Sequence, residues 1–147
     1  MYIVTISLKE FKGMKPKKRN AKHEESLSLK VCNYLKTDYP DIIFTCESSG
    51  IRLPIYAAVK LAKQRSESGL PDLMVFHPNK NYGALFIELK KEGTVIFLKN
   101  GSMTADKHIR EQAAVLKRLN DLGYKACFAV GYEEAIQIID DYMTNRI

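Results

Sequence analysis

The chain has 147 residues, of which 46% are hydrophobic and 27% are charged, and its formal net charge is +6. This length and composition predict one soluble globular domain with a hydrophobic core. No apolar run approaches the length of a membrane-spanning helix, and no basic region precedes Tyr2–Leu8 as in a signal peptide, so we expect a cytoplasmic protein with no membrane partner.

The positive charge is concentrated at the amino-terminal end. Residues 1–22 contain seven basic residues and one acidic residue, a net of +6, whereas the rest of the chain has 16 of each. We therefore divide the chain into a basic leader, residues 1–22, and a globular domain, residues 23–147. A basic leader is typical of proteins that bind nucleic acid phosphates, and the alternative is a disordered solubilising tail.

The three cysteines, Cys32, Cys46 and Cys127, are odd in number and far apart in the sequence, and each has apolar neighbours. This pattern predicts buried thiols in a reducing compartment, not a disulfide or a zinc site.

Hydrophobic periodicity and turn residues predict alternating helices and strands along the globular domain. In chain order they are a helix over 23–36, a strand Ile42–Cys46, a helix from Pro54 to about Arg65, strands Leu73–Phe76 and Ala84–Leu89, a helix over 105–122 closed by Gly123, a strand Lys125–Val130 and a helix Glu133–Met143. We expect an α/β fold with a single mixed sheet flanked by helices.

The hairpin formed by the two central strands contains three charged residues in otherwise apolar surroundings. Folding it about its middle, near Lys80, places Asp72 opposite Glu88 within one residue, and the two-residue period of a strand places Glu88 and Lys90 on one face. A buried charge is costly unless it is paired or bound to a metal, so this convergence indicates a functional site. The alternative is a surface ion pair on a half-exposed hairpin.

Two further polar residues lie on apolar helix faces. Glu24 precedes Leu27 and Val31 by three and seven residues, which places it on the inward stripe of the first helix. Gln112 interrupts the apolar stripe of the 105–122 helix. The alternatives are a glutamate that stabilises a helix N-terminus and a glutamine at the edge of the core.

Pro71-Asp72 followed by Glu88-Leu89-Lys90 resembles the PD-(D/E)XK nuclease superfamily. Further motifs are similar to one branch, the VRR-NUC domain, in its compact stand-alone bacteriophage form; they are Gly69 before Pro71-Asp72, Gln112 in the next helix, L-x-x-L-G-Y at Leu119–Tyr124 and G-Y-E-E-A-I at Gly131–Ile136. The resemblance covers roughly residues 23–143. The Val-Arg-Arg signature that names the branch is absent, and the corresponding helix contains H-I-R-E-Q.

The resemblance implies a restriction-endonuclease-like fold and a Mg²⁺-dependent DNA endonuclease, with Mn²⁺ able to substitute. The carboxylates Asp72 and Glu88 and the Leu89 carbonyl would bind the ion, and the family has an acidic ligand at the position of Glu24. Lys90 would orient or deprotonate the attacking water and offset charge in the transition state, and Gln112 would hydrogen-bond the water, the lysine or a phosphate.

The family comparison further suggests a homodimer that cuts branched DNA such as Holliday junctions, located in the host cytoplasm if the chain is phage-encoded. Two alternatives stay open at this point. One is a nuclease of another specificity, acting on flaps, ends or specific sites in double-stranded DNA. The other is a non-catalytic DNA-binding module on the same fold.

Overall fold

A computed structural model describes residues 26–47, 53–67 and 69–147. The elements in these ranges are α1 (Leu27–Asp38), β1 (Phe44–Cys46), α2 (Ile55–Lys63), β2 (Leu73–Val75), β3 (Leu85–Lys90), α3 (Lys107–Asp121), β4 (Lys125–Val130) and α4 (Tyr132–Met143). Every element predicted from the sequence is present in the predicted order. The ends differ by at most two residues, except that α1 begins at Leu27, after the extended N-cap residue Ser26, and not at residue 23 as predicted. The predicted start of the first helix lies outside the described residues, as do the leader and Glu24.

The strands form one mixed sheet in the order β1-β2-β3-β4. The pairs β1–β2 and β2–β3 are antiparallel, and β3–β4 is parallel. A parallel pair requires a crossover connection, which here contains α3. The predicted α/β architecture with a mixed sheet and flanking helices is therefore confirmed.

The alternation of side chains along β3 separates the hydrophobic core from the polar side of the sheet. Leu85 and Ile87 are fully buried in the main cluster, whereas Glu88 points to the opposite face, where α3 packs. The buried members of the cluster come from α1, the strands and α4: Val31, Leu35, Leu73, Val75, Leu85, Ile87, Ala129, Ala135, Ile139 and Tyr142. Each large apolar side chain buried in this way contributes about 1.5–3 kcal/mol.

The hairpin turn that sets the register of β2 and β3 is anchored to the end of the chain. The Asn79 side-chain oxygen accepts hydrogen bonds from the backbone N–H groups of Asn81 and Tyr82, at 2.9 and 2.8 Å. Its amide nitrogen donates to the carbonyls of Tyr142 and Ile147, at 3.1 and 2.8 Å. The turn is thereby held by local bonds and by the last helix, which stabilises a single register of the hairpin.

The start of α3 is defined by Asp106, whose side chain accepts a hydrogen bond from the Ile109 N–H at 3.0 Å. Such a cap stabilises a helix by about 1 kcal/mol. Because the cap determines where the helix begins, it also determines that Gln112 lies less than two turns inside it, on the buried face with Ile109 and Leu116.

Two features of the fold were not predicted from the sequence. No residue of α2 is buried, and Ile55, Tyr56 and Val59 are exposed on its surface. The sulfur atoms of Cys32 and Cys46, separated by 14 positions in the sequence, lie 2.8 Å apart. All three cysteines are free thiols, as predicted, but only Cys32 is buried, whereas Cys46 and Cys127 are partly buried. No helix within the described ranges has both the length and the hydrophobicity needed to cross a bilayer.

Candidate active site

The two carboxylates lie together where β2 and β3 separate. The register pairs Leu73 with Ile87, so Asp72 lies opposite Glu88 at the next position. The Asp72 Oδ2 atom accepts a hydrogen bond from the Leu89 N–H at 3.0 Å. Glu88 is only 3% exposed, which makes it one of two buried polar or charged side chains among the described residues.

Lys90 and Gln112 complete a closed network with Glu88. The Lys90 Nζ atom donates to Glu88 Oε1 at 3.0 Å and to Gln112 Oε1 at 2.5 Å. The Gln112 Nε2 group donates to the same Glu88 oxygen. The amide thus presents its acceptor to the ammonium and its donor to the carboxylate, an orientation that satisfies all three groups. The Lys90 side chain is 14% exposed, so its charge is largely removed from water.

The pKa of Glu88 is raised from its usual 4.5 to about 7. Burial is the largest cause and the negative charge of Asp72 is the second, while the hydrogen bond and charge of Lys90 lower the pKa and offset part of the rise. Two carboxylates in one partly dry site repel each other, and Lys90 offsets only part of this repulsion at Glu88. A divalent cation between them would remove this cost.

The donor set fits Mg²⁺. Oxygen atoms are its preferred ligands, and Mg²⁺ commonly uses only one or two carboxylates because it keeps several waters. Because the N–H and C=O of one strand residue point toward the same neighbouring strand, the Leu89 carbonyl lies on the Asp72 side of β3. Within 26–47, 53–67 and 69–147, no group of three or more His, Cys, Asp or Glu side chains could hold a metal ion. The predicted ligand Glu24 lies outside these ranges.

All predicted site residues in the described part of the chain border one cavity. Its volume is about 380 Å³, and its lining consists of Glu47, Arg65, Gly69, Leu70, Asp72, Glu88, Leu89, Lys90, His108 and Gln112. We call this cavity the cleft. It contains the whole Asp72–Glu88–Lys90–Gln112 constellation and is large enough for several waters or a phosphate group.

Three cleft residues with ionisable side chains were not selected from the sequence as site residues. Glu47 follows β1, and its backbone N–H donates to the Asp72 carbonyl at 2.7 Å, which places a third carboxylate at the cleft. Arg65 follows α2 and forms an ion pair with Glu47. His108 lies four residues before Gln112, hence on the same face of α3, and this spacing was the available signal for it.

Gly69 supports the cleft through its backbone. Its φ is +82°, a region that L-residues with a side chain rarely adopt, and a Cβ atom built there would lie 3.6 Å from Gln112 Cγ. The glycine is therefore required by backbone conformation more than by lack of space, and it turns the chain toward Asp72 beside the α3 face.

Both the sequence and the structure of this chain are similar to those of known proteins. A family model described as the VRR-NUC domain matches residues 14–131. A solved structure titled "VRR_NUC domain protein" is 24% identical, with a TM-score of 0.54 over 80% of this chain and 85% of the other. A second, titled "VRR_NUC domain", is 21% identical with a TM-score of 0.44 over 80% and 98%. No curated protein matches. The similarity to the first structure supports the restriction-endonuclease-like fold predicted for this chain from the sequence.

Proposed function

The chain belongs to the VRR-NUC family of nuclease domains, and from this premise we propose that it is a Mg²⁺-dependent DNA endonuclease that cuts branched DNA such as Holliday junctions. The observation that carries the proposal is the buried constellation of Asp72, Glu88, Lys90 and Gln112 within one cleft. A purely structural ion pair would not require two carboxylates against one ammonium, with the pKa of Glu88 raised to about 7.

Asp72, Glu88 and the Leu89 carbonyl would hold the metal ion, with Glu24 as a further ligand from outside the described residues. When bound, the ion supplies charge stabilisation at the phosphate and lowers the pKa of a bound water, and Mn²⁺ can replace Mg²⁺ in both roles. The donor chemistry supports this assignment, because a cation would offset the repulsion between the two carboxylates.

Lys90 is the group on this chain placed to act on the reaction itself. Its ammonium lies on the same strand face as Glu88 and is held from two sides, by the Glu88 carboxylate and the Gln112 amide. A cation fixed in this way stabilises negative charge that develops on the phosphate and orients the attacking water. To deprotonate that water, Lys90 would first have to lose its own proton and act as the neutral amine. A substrate phosphate would meet a positive charge already in position, so little reorganisation is needed.

Gln112 is a positioning residue in this proposal. It contacts Lys90 and Glu88 at the same time and carries no charge. It can therefore set the distance between the lysine and the carboxylate without competing for the metal ion. Its burial in the apolar face of α3 holds the amide in this orientation.

A four-way junction needs two symmetric cuts, and each chain of this protein has one cleft of this kind in its described part. A C2 homodimer is the simplest assembly that presents two such sites, so we include a homodimer in the proposal. A protein that stays monomeric on DNA would instead be suited to flaps, to ends or to single cuts in double-stranded DNA. A non-catalytic binding module is disfavoured by the intact constellation.

A panel of DNA substrates tests the proposal. We expect the protein with Mg²⁺ to cut a four-way junction faster than flap, nicked or linear duplex DNA of the same sequence, and to cut none of them with a chelator. Asp72→Asn, which keeps the size of the side chain, serves as the inactive control. If no DNA is cut with either Mg²⁺ or Mn²⁺, the proposed activity is wrong; if flaps are cut fastest, the junction preference is wrong.

A further inference from the structure

An ion pair at the cleft brings a second basic residue to the candidate active site. Arg65 lies two residues beyond the end of α2, and its Nη2 group donates to a carboxylate oxygen of Glu47. Both side chains line the cleft together with Asp72, Glu88 and Lys90. The Arg65 side chain is 29% exposed and that of Glu47 21%, so the pair is partly buried yet open to the cleft.

The hydrogen-bonding capacity of Arg65 is only partly used. A guanidinium has five N–H donors and remains charged at any physiological pH. The Arg65 Nε atom is the one buried side-chain nitrogen or oxygen in the described ranges that has no hydrogen-bond partner. Lys90, by contrast, already donates to two side chains. The Arg65 side chain as a whole is open to the cleft, so its accessible N–H groups that do not bind Glu47 can donate to an additional anionic partner there.

The charges of the cleft indicate that the anionic partner of Arg65 is a nucleic acid phosphate. Three carboxylates, from Glu47, Asp72 and Glu88, face two cations, Arg65 and Lys90. A nucleic acid phosphate could enter such a cleft only where a cation offsets the carboxylates. The metal ion and Lys90 would offset the carboxylates at the phosphate that is cut. Arg65 would offset them at a neighbouring phosphate. The planar guanidinium also matches the geometry of two phosphate oxygens.

We propose that Arg65 binds a substrate phosphate next to the one that is cut, and that Glu47 holds the guanidinium in place before DNA arrives. The Glu47 N–H donates to the Asp72 carbonyl at 2.7 Å, so the arginine is tied through one residue to the predicted metal ligand. This connection would place the DNA strand in a defined register relative to the reacting phosphate. The inference rests on the proposed function, because it assumes a nucleic acid substrate at this cleft.

A second arginine provides a matched control. Arg118 on α3 also pairs with a glutamate, Glu67, at 2.8 Å. Its side chain is 66% exposed and does not line the cleft. Removing Arg118 therefore removes the same charge and the same type of ion pair without touching the proposed phosphate site.

The test replaces phosphates of the DNA one at a time with neutral methylphosphonates and measures binding by fluorescence anisotropy with Ca²⁺. For the wild type, we expect one position beside the cleavage site at which the replacement weakens binding about 10-fold to 100-fold, the range for a charge-assisted contact. For Arg65→Gln, binding to unmodified DNA should fall by the same factor, and the replacement at that position should have no further effect. Arg118→Ala should retain the full position-specific effect.

Arg65→Lys separates charge from geometry. It should recover part of the general attraction to DNA but not the position-specific effect, because an ammonium lacks the planar pair of donors. Circular dichroism melts identify any variant that fails to fold. If Arg65→Gln fails to fold, Arg65→Lys provides the test. The same position-specific loss in wild type and in the Arg65 variants would overturn the proposal.

The failure of this inference is distinguishable from failure of the proposed function. If the wild type cuts DNA but the Arg65 variants show an unchanged methylphosphonate profile, Arg65 is a structural ion-pair residue and the nuclease proposal stands. If nothing is cut while Arg65 still determines a single sensitive phosphate, the phosphate site stands and the catalytic proposal is wrong.

Discussion

Replacing Glu88 with glutamine should stabilise the metal-free protein at alkaline pH. The Glu88 carboxylate is 3% exposed and lies beside Asp72. One of its oxygens accepts from Lys90 and from Gln112, and an amide oxygen can accept the same two bonds. A hydrogen bond between Glu88 and Asp72 forms only when one of the two carboxyl groups carries a proton. In the glutamine variant, the amide NH₂ group can donate this bond at any pH. The substitution therefore removes a charge and leaves the hydrogen bonds in place.

The pKa of Glu88 gives the size and sign of the effect. The rise from 4.5 to about 7, at ~1.36 kcal/mol for each pKa unit, corresponds to about 3 kcal/mol. Because the folded-state pKa is the higher one, the contribution of this group to stability is fully present below about pH 4.5 and is lost as the pH rises through about 7. Above that pH the wild type holds an unfavourable buried charge that the variant lacks.

Urea unfolding followed by circular dichroism in excess chelator measures this difference. Glu88→Gln should be more stable than the wild type by about 3 kcal/mol at pH 8 and by less than about 1 kcal/mol at pH 5. Glu67→Gln, in the exposed pair with Arg118, should change stability by less than about 1 kcal/mol at both values. A Glu88→Gln variant that is no more stable than the wild type at pH 8 would refute the electrostatic reasoning.

Four further outcomes are expected. Asp72→Ala should abolish Mg²⁺-dependent cleavage in a gel assay while DNA binding persists; full cleavage by this variant would exclude Asp72 as a ligand. Lys90→Ala should cut at least about a hundredfold more slowly in single-turnover assays, with a milder loss for Gln112→Ala, and a wild-type rate would make Lys90 an ordinary cation. Removing residues 1–22 should weaken binding to all DNAs and flatten its salt dependence, with little change in the rate at saturating DNA; unchanged binding would favour a solubilising tail. Light scattering should give about twice the 16.8 kDa mass of one chain, and a monomer that persists on junction DNA would exclude the dimer.

Local rules explain why much of the fold could be predicted from the sequence. Hydrophobic periodicity indicated the helices and strands, and the boundaries of β4 were predicted without error, because residues on either side of it, Gly123 and Gly131, adopt a positive φ. The hairpin register followed from two apolar runs placed symmetrically about Lys80. That symmetry was enough to place Asp72 opposite Glu88, since strand pairing in a short hairpin is determined by the turn.

The interruptions in these patterns also indicated candidate site residues. Glu88 and Lys90 stand two residues apart on one strand, and Gln112 stands in an apolar helix stripe; the structure brings these three side chains together. Polar residues at positions that the period assigns to the interior are rare, because burying them without partners is costly. The sequence itself thus indicated which residues were unusual.

Only the tertiary structure decided which distant residues share the cleft. Glu47 and Arg65 meet there although 18 positions separate them, and neither interrupts an apolar pattern. Cys32 of α1 and Cys46, the last residue of β1, also meet, although 14 positions separate them. The raised pKa of Glu88 likewise depends on burial by several elements at once. Periodicity reports only which face of its own element a residue occupies, whereas contacts and desolvation depend on how the elements pack against one another.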